Sequence, residues 1–330
     1  MTRVAVIGTG FMGENHARAA SEHPTLELDA VVDINASRAN AIAERYDANR
    51  AETEYSEVFD VDAVIVATPE TVHAEQANAI LDHEIHLLLE KPITESIDEA
   101  IALAERETRT DMVTGVSFVL RYDPAYAAVR EAVTTGELGD VVAVRAKRGI
   151  TIEESRRIGA RGHPLYYMNI HDIDAMLWST QGRVVRVTSI ARRGELSDID
   201  VPDATQSLLE FEDGAIGVLE GYGTLPSETP GRIEAAFEIV GTNGKASVET
   251  PGDTLTVHGD RYDHPDSRHW PIVNDRIDGT VRRQIDRFAE AIDGNGEMLA
   301  TIKDGARAQA VANAAKEAYE SNTAVSVKYP

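Results

Sequence analysis

The sequence predicts an α/β protein: a doubly wound N-terminal domain followed by an α+β domain with an open, mostly antiparallel sheet. Three observations predict it. Short apolar strands alternate with helical segments over the first 120 residues. A glycine-rich turn links the first strand to the first helix. Beyond residue 180 the helices give way to strands joined by hairpin turns.

The elements follow in order. "RVAVIG" (3–8) reads as a buried strand, "ENHARAASEH" (14–23) as a helix, "LELDAVVD" (26–33) as a strand and "ASRANAIAERY" (36–46) as a helix. "DAVIVAT" (62–68), "TVHAEQANAILDH" (71–83) and "IHLLLE" (85–90) continue as strand, helix and strand. "SIDEAIALAERE" (96–107) opens on Ser96 with Glu99 three residues on, a capping box. "MVTGVSF" (112–118) closes the run as a strand. Continuous apolar strands between helices imply a parallel sheet covered on both faces.

The rhythm changes near residue 120, which sets the expected domains at 1–120 and 121–330. A helix over 124–136 precedes a strand over 140–149, a loop rich in Arg and Gly at 153–163, and a helix over 166–178. Strands dominate from 183 to about 258, with hairpin turns at "EDGA" (212–215) and "TNGK" (242–245). Helices near 279–292 and 303–321 end the chain. One face of the second sheet can carry helices. The other needs a charged surface or a partner, which makes a homodimer or homotetramer through that sheet the expectation.

Charge narrows the partners. The net charge of −24 repels nucleic acid and anionic membranes, so neither is expected as a partner. The acid excess is spread along the chain, which reads as adaptation to a salt-rich cytoplasm. With no cysteine, thiolate catalysis and disulfides are excluded. No apolar run is long enough to span a membrane, and a strand pattern begins at once, so the expected location is cytoplasmic. No metal-ligand constellation is legible.

Three motifs carry chemistry. "GTGFMG" (8–13) follows a strand and opens a helix, the context a dinucleotide fingerprint requires. Gly8 makes the turn, Gly10 lets backbone approach a pyrophosphate, and Gly13 lets helix and strand close up. Phe11 and Met12 are assigned to the same cofactor loop. Asp33 ends the next strand, where a carboxylate bonds the adenosine ribose; a cap for the helix at 36 is its ordinary alternative. That carboxylate repels a 2′-phosphate, so NAD is expected rather than NADP, and Arg38 is read as a surface residue. In "ATPETVH" (67–73), Thr68 and Pro69 would line the nicotinamide side, and His73 is either a cofactor contact or a surface residue. In "LLLEKP" (87–92), Glu90 and Lys91 end an apolar strand, with Pro92 fixing the turn, and both are assigned to the cofactor site. Lys91 there can bond a substrate hydroxyl and favour an alkoxide-like transition state.

The helix at 166–178, "YYMNIHDIDAMLW", places Tyr167, His171, Asp174 and Trp178 on one face by spacings of four, three and four. Ile170, Ile173 and Leu177 form the adjacent core stripe. His171, with an unperturbed pKa of about 6.5, suits proton transfer. Asp174 and Trp178 read as scaffold. Arg148, Arg156, Arg157 and Arg161 are a solvated cluster or an anion cradle. Tyr122 is a candidate to stack on a sugar ring, and Asn169 to bond substrate. His269 and Trp270 read as loop.

Gly8–Gly13 with His16, the Glu90-Lys91-Pro92 strand end and His171-x-x-Asp174 together resemble the Gfo/Idh/MocA oxidoreductases, over essentially the whole chain. The resemblance implies a nicotinamide-binding Rossmann domain, a C-terminal sheet domain that makes dimers or tetramers, and a sugar, sugar-derivative or cyclitol substrate. It also implies a catalytic pair matching Lys91 and His171. Tyr167 stands where that family commonly has an aspartate. It is assigned to the catalytic and substrate groups alongside Lys91 and His171. Two alternatives remain open: a non-catalytic NAD- or sugar-binding sensor, and a redox-neutral enzyme that retains its NAD.

Overall fold

The computed structural model describes residues 1–251, 257–258, 262–263 and 266–330. The chain divides into two compact units: Met1–Tyr122 with Arg268–Ala306 and Pro330, and Asp123–Ser267 with Arg307–Tyr329.

The N-terminal sheet is built from β1 (Thr2–Ile7), β2 (Leu26–Val32), β3 (Arg50–Glu52), β4 (Ala63–Val66), β5 (His86–Leu89) and β6 (Thr114–Val116). All pair in parallel, in the order β3-β2-β1-β4-β5-β6. The short β3 has no apolar run to mark it in the sequence. It forms because its backbone extends the ladder of β2. The strands lack polar alternation because α1 (Phe11–Ser21), α2 (Ala36–Arg45), α3 (His73–Asp82) and α4 (Ile97–Glu107) connect them as crossovers. The capping box at α4 is formed: Ser96 Oγ accepts from Glu99 N at 3.2 Å, and Glu99 Oε2 accepts from Ser96 N at 3.2 Å. Strand order reverses between β1 and β4, and a doubly wound sheet binds its ligand at the carboxyl ends of the strands at that point.

The second unit begins with α5 (Pro124–Thr134) and β7 (Val141–Thr151). The stretch expected as a loop, 153–163, is instead α6 (Ile152–Ile158) and a 3-10 turn, Gly159–Gly162. Thr151 Oγ1 caps α6 by accepting from Glu154 N, and Glu154 holds Arg157 one turn on. A π-helical turn, Pro164–Met168, then leads into α7 (Asn169–Thr180). β8 (Val184–Arg192), β9 (Ala204–Phe211), β10 (Ile216–Leu225), β11 (Ile233–Gly241) and β12 (Lys245–Thr250) complete the sheet. Its order is β12-β11-β7-β10-β9-β8, with Val325–Ser326 beyond β8, and only β7 and β10 run parallel. The turn at 212–215 uses Gly214 at φ 90°. In the 242–245 turn neither Asn243 nor Gly244 has positive φ; Thr242 N and Asn243 N donate to the carbonyls of Asp140 and Leu138, which hold the loop. Residues 252–256, part of the span read as strand-rich, lie outside the described residues.

Two helices follow, α8 (Gly279–Ile292) and α9 (Ile302–Ser321). α8 was expected in the second domain but belongs to the first unit. Val281, Ile285, Phe288 and Ala289 are buried in one core with Ala17, Ala20 and the strand residues Val6, Val31 and Ile65. Alanines on α1 allow this close approach, and sequence distance carries no sign of it.

Candidate active site

The glycines of the fingerprint have three different causes. Gly8 has φ 89°, and a Cβ there would stand 2.7 Å from the Ala67 carbonyl oxygen. At Gly13 a Cβ would meet the Gly8 carbonyl oxygen at 1.7 Å. At Gly10 a Cβ would meet nothing within 4 Å, and the backbone there is extended. Neither conformation nor protein packing requires glycine at Gly10, so the open space fits an approaching phosphate. Gly10 also caps α1 without any side-chain hydrogen bond to its first-turn N–H groups, as an anion-binding helix start needs. Phe11 is 58 % exposed at this end, whereas the partly buried Met12 packs against the core.

Asp33 is held by three hydrogen bonds from two neighbours. Its Oδ2 accepts from Thr9 N at 3.0 Å and Thr9 Oγ1 at 2.7 Å; its Oδ1 accepts from Asn35 N at 2.9 Å. Burial would raise its pKa, but these bonds and the Arg38 charge outweigh it, and the carboxyl stays below its ordinary value. The anion needed at a ribose is therefore present. Arg38, read as an idle surface residue, lies 3.7 Å from Asp33 Oδ2. The cap of α2 is Asn35, not Asp33.

At the ends of β4 and β5, Thr68 Oγ1 donates to Gln76 Oε1 at 2.6 Å, and Pro69 is exposed. Neither alternative for His73 holds: it is 1 % exposed, with both ring nitrogens against backbone carbonyls. Glu90 also turns its side chain inward. It is buried, with Oε1 2.9 Å from His16 Nε2, and Oε2 accepts from Lys91 N at 3.2 Å. Burial would raise its pKa, but His16, Lys91 and Ser117 hold it below the ordinary value. The carboxylate thus anchors α1 to the strand end that presents the half-buried Lys91. Tyr122 is 7 % exposed and closes a 3-10 turn, a packed ring with little face left for stacking.

In the second unit the expected single face of 166–178 is broken by the π turn. Tyr167 lies in that turn, so the four-residue step to His171 is not an α-helical one. Along α7 only His171, Trp178 and Thr180 escape burial, and Asp174 is 1 % exposed. Asn169, expected to meet substrate, is fully buried: its Nδ2 donates to Asp172 Oδ2 at 3.1 Å and to the Glu220 carbonyl at 3.0 Å. Gly221 makes room for it, since a Cβ there would stand 2.1 Å from Asn169 Oδ1.

The arginine cluster is dispersed into protein partners. Arg148 forks onto Asp172, Arg156 bonds Asp198, and Arg157 grips Glu154 and donates to the Tyr167 hydroxyl. Asp172 carried no signal beyond its place beside His171. Trp270, read as loop, packs edge-on against Phe11 with ring centroids 5.1 Å apart. Among the described residues no group of three His, Cys, Asp or Glu side chains could hold a metal ion.

A glycine cradle at a helix start, a ribose-type carboxylate and a lysine at the sheet edge define a nicotinamide-dependent oxidoreductase acting on CH–OH groups. Residues 2–118 match the model described as the oxidoreductase family, NAD-binding Rossmann fold, and residues 126–247 match the GFO/IDH/MocA C-terminal domain. The chain is 30 % identical to an inositol 2-dehydrogenase of Rubrobacter xylanophilus, over 74 % of this chain and 70 % of that one. It is 26 % identical to the scyllo-inositol 2-dehydrogenase (NAD(+)) of Bacillus subtilis, over 75 % and 74 % of the two chains. A crystal structure of myo-inositol 2-dehydrogenase from Lactobacillus plantarum shares the fold, with TM-score 0.88 and 23 % identity over 99 % of each chain. The chain belongs to the Gfo/Idh/MocA oxidoreductase family.

Proposed function

We propose that the protein is an NAD-dependent dehydrogenase of an inositol-type cyclitol, oxidising a ring CH–OH to the ketone. The observation that carries this is the Asp33 carboxylate, ionised and bonded by Thr9 beside the open Gly10 cradle, in a chain whose relatives include inositol dehydrogenases. NAD, when bound, supplies the hydride acceptor. Gly8, Gly10, Gly13, Phe11 and Asp33 hold its adenosine and pyrophosphate portion, and Thr68 and Pro69 line its nicotinamide end. His171, one of three α7 residues that escape burial, accepts the proton of the substrate hydroxyl. Lys91 donates to that hydroxyl oxygen and stabilises the charge that develops on it. Tyr167, polarised by the Arg157 guanidinium, donates to a second ring hydroxyl.

The same reading makes the protein a cytoplasmic homo-oligomer. Ile190, Leu208 and Ile216 on the second sheet are 66 %, 60 % and 58 % exposed, an apolar group suited to a second copy of this chain. The excess of 56 acidic over 32 basic residues suits a cytoplasm rich in KCl.

The test is NADH formation from NAD with myo-inositol, scyllo-inositol and a panel of aldoses, in concentrated KCl. Turnover on a cyclitol that falls at least about a thousandfold in Lys91→Ala and His171→Ala, with NADH binding kept, is expected. Unchanged turnover in either variant sinks its assigned role. Binding of NAD without turnover on any polyol would favour a sensor or a redox-neutral enzyme.

A further inference from the structure

We infer that His73 is a positioning residue wedged between the two loops serving the nicotinamide half of the dinucleotide, hydrogen-bonded to one and packed against the other. It opens α3 and is 1 % exposed. Nε2 lies 2.9 Å from the carbonyl oxygen of Thr68, in the loop after β4. Nδ1 lies 3.0 Å from the carbonyl oxygen of Pro92, in the loop after β5 and next to Lys91. The β4–β5 ladder ends at Val66 and Leu89, with one further bond from Glu90 N to the Val66 carbonyl. Beyond that point the strands diverge into loops, and the imidazole spans them.

Both carbonyls are acceptors only. A neutral imidazole carries one N–H, so its tautomer decides which loop it grips, and the ring's body stays wedged between the two. Burial pushes the His73 pKa down, against the two carbonyls and the charges of Glu90 and Glu70, so the neutral ring is the resting form. Both nitrogens already face protein, which leaves none for the cofactor.

The side of the dinucleotide follows from topology. Asp33, at the end of β2, marks the adenosine side, and the ligand crosses the reversal between β1 and β4. The loops after β4 and β5 therefore serve the nicotinamide half. The inference rests on the NAD-dependent reading above, but not on the identity of the substrate.

The experiment compares NADH with ADP-ribose, which lacks the nicotinamide nucleoside, in calorimetric titrations of the full chain and of its His73→Ala and His73→Gln variants. The expected result is about tenfold weaker NADH binding in His73→Ala with ADP-ribose binding within about twofold of the parent. His73→Gln, which keeps one N–H donor, falls between and serves if the alanine variant fails to fold. Equal weakening of both ligands, or of neither, overturns the positioning role. A parent that binds NADH as expected but turns over no cyclitol would sink the substrate reading and leave this comparison intact.

Discussion

Arg148 and Asp172 form a buried forked ion pair directly beside the proposed base, His171. Arg148 Nε lies 3.0 Å and 3.1 Å from the two carboxylate oxygens, and Nη2 lies 2.8 Å from Oδ1. Arg148 is 5 % and Asp172 0 % exposed. Tyr126 bonds the same guanidinium, and burial pushes its hydroxyl pKa up to about 12 against the pull of that charge. The pair joins β7 to α7, so it sets where the helix carrying His171 lies against the sheet. Removing one partner strands the other's charge. Asp172→Ala or Arg148→Ala is expected to lose about 3–5 kcal/mol in urea unfolding, and Arg148→Met with Asp172→Leu to recover most of it. Near-additive losses in the double variant would contradict a coupled pair.

Gly13 and Gly10 give different expectations for stability, though both serve binding. Gly13→Ala forces a Cβ into the Gly8 carbonyl, so a loss of about 1–3 kcal/mol is expected together with lost NADH binding. Gly10→Ala meets no protein atom, so its unfolding midpoint should stay within about 0.5 kcal/mol of the parent while NADH binding falls about tenfold. Thermal unfolding and NADH fluorescence titration separate the two. A destabilised Gly10→Ala would argue against the cradle.

Asp33 and Arg38 together decide between NAD and NADP. With the carboxylate in place, Arg38 lies 3.7 Å from it and a 2′-phosphate is repelled. In Asp33→Ala the Arg38 charge is released. The NADPH-to-NADH affinity ratio should rise at least about tenfold, and fall back in Asp33→Ala with Arg38→Ala. An unchanged ratio in the single variant would remove Asp33 from the selectivity.

His163 predicts a pH dependence of stability. Its Nδ1 accepts from Leu165 N and its Nε2 faces the Tyr319 hydroxyl at 2.9 Å. Burial, with the charges of Lys316 and Arg193, pushes its pKa down to about 4. The unfolded chain protonates near 6.5, so between about 6.5 and 4 it binds a proton that the folded chain refuses. The contribution is fully present above pH 6.5 and falls as pH drops to about 4, by about 3 kcal/mol. Urea unfolding at stepped pH should show this slope, and His163→Asn should flatten it. A variant with the parent's slope would assign the effect elsewhere.

Much of the fold was legible because local chemistry dictated it. Apolar runs such as Ala63–Val66 could only be buried strands, and the Ser96–Glu99 box marked its helix start to the residue. The glycine fingerprint and Asp33 were legible for the same reason: backbone approach to a phosphate and a carboxylate at a strand end are short-range demands. Side-chain partnerships across long separations were not. Glu90 meets His16 from 74 residues away, and Arg148 meets Asp172 across 24, pairings that no local pattern encodes. The acids were too many for any one of them to stand out.

The sequence by itself determined the parallel sheet and the dinucleotide cradle, because each follows from periodicity or from neighbouring residues, and its resemblance to the Gfo/Idh/MocA oxidoreductases pointed to the family and to Lys91 with His171. Tertiary structure alone decided the rest. It returned α8 to the first unit through close packing on α1, turned Tyr167 out of helical register by a π turn, and buried Asn169. It also put His73 between two loops, because hydrogen-bond geometry depends on where distant backbones meet.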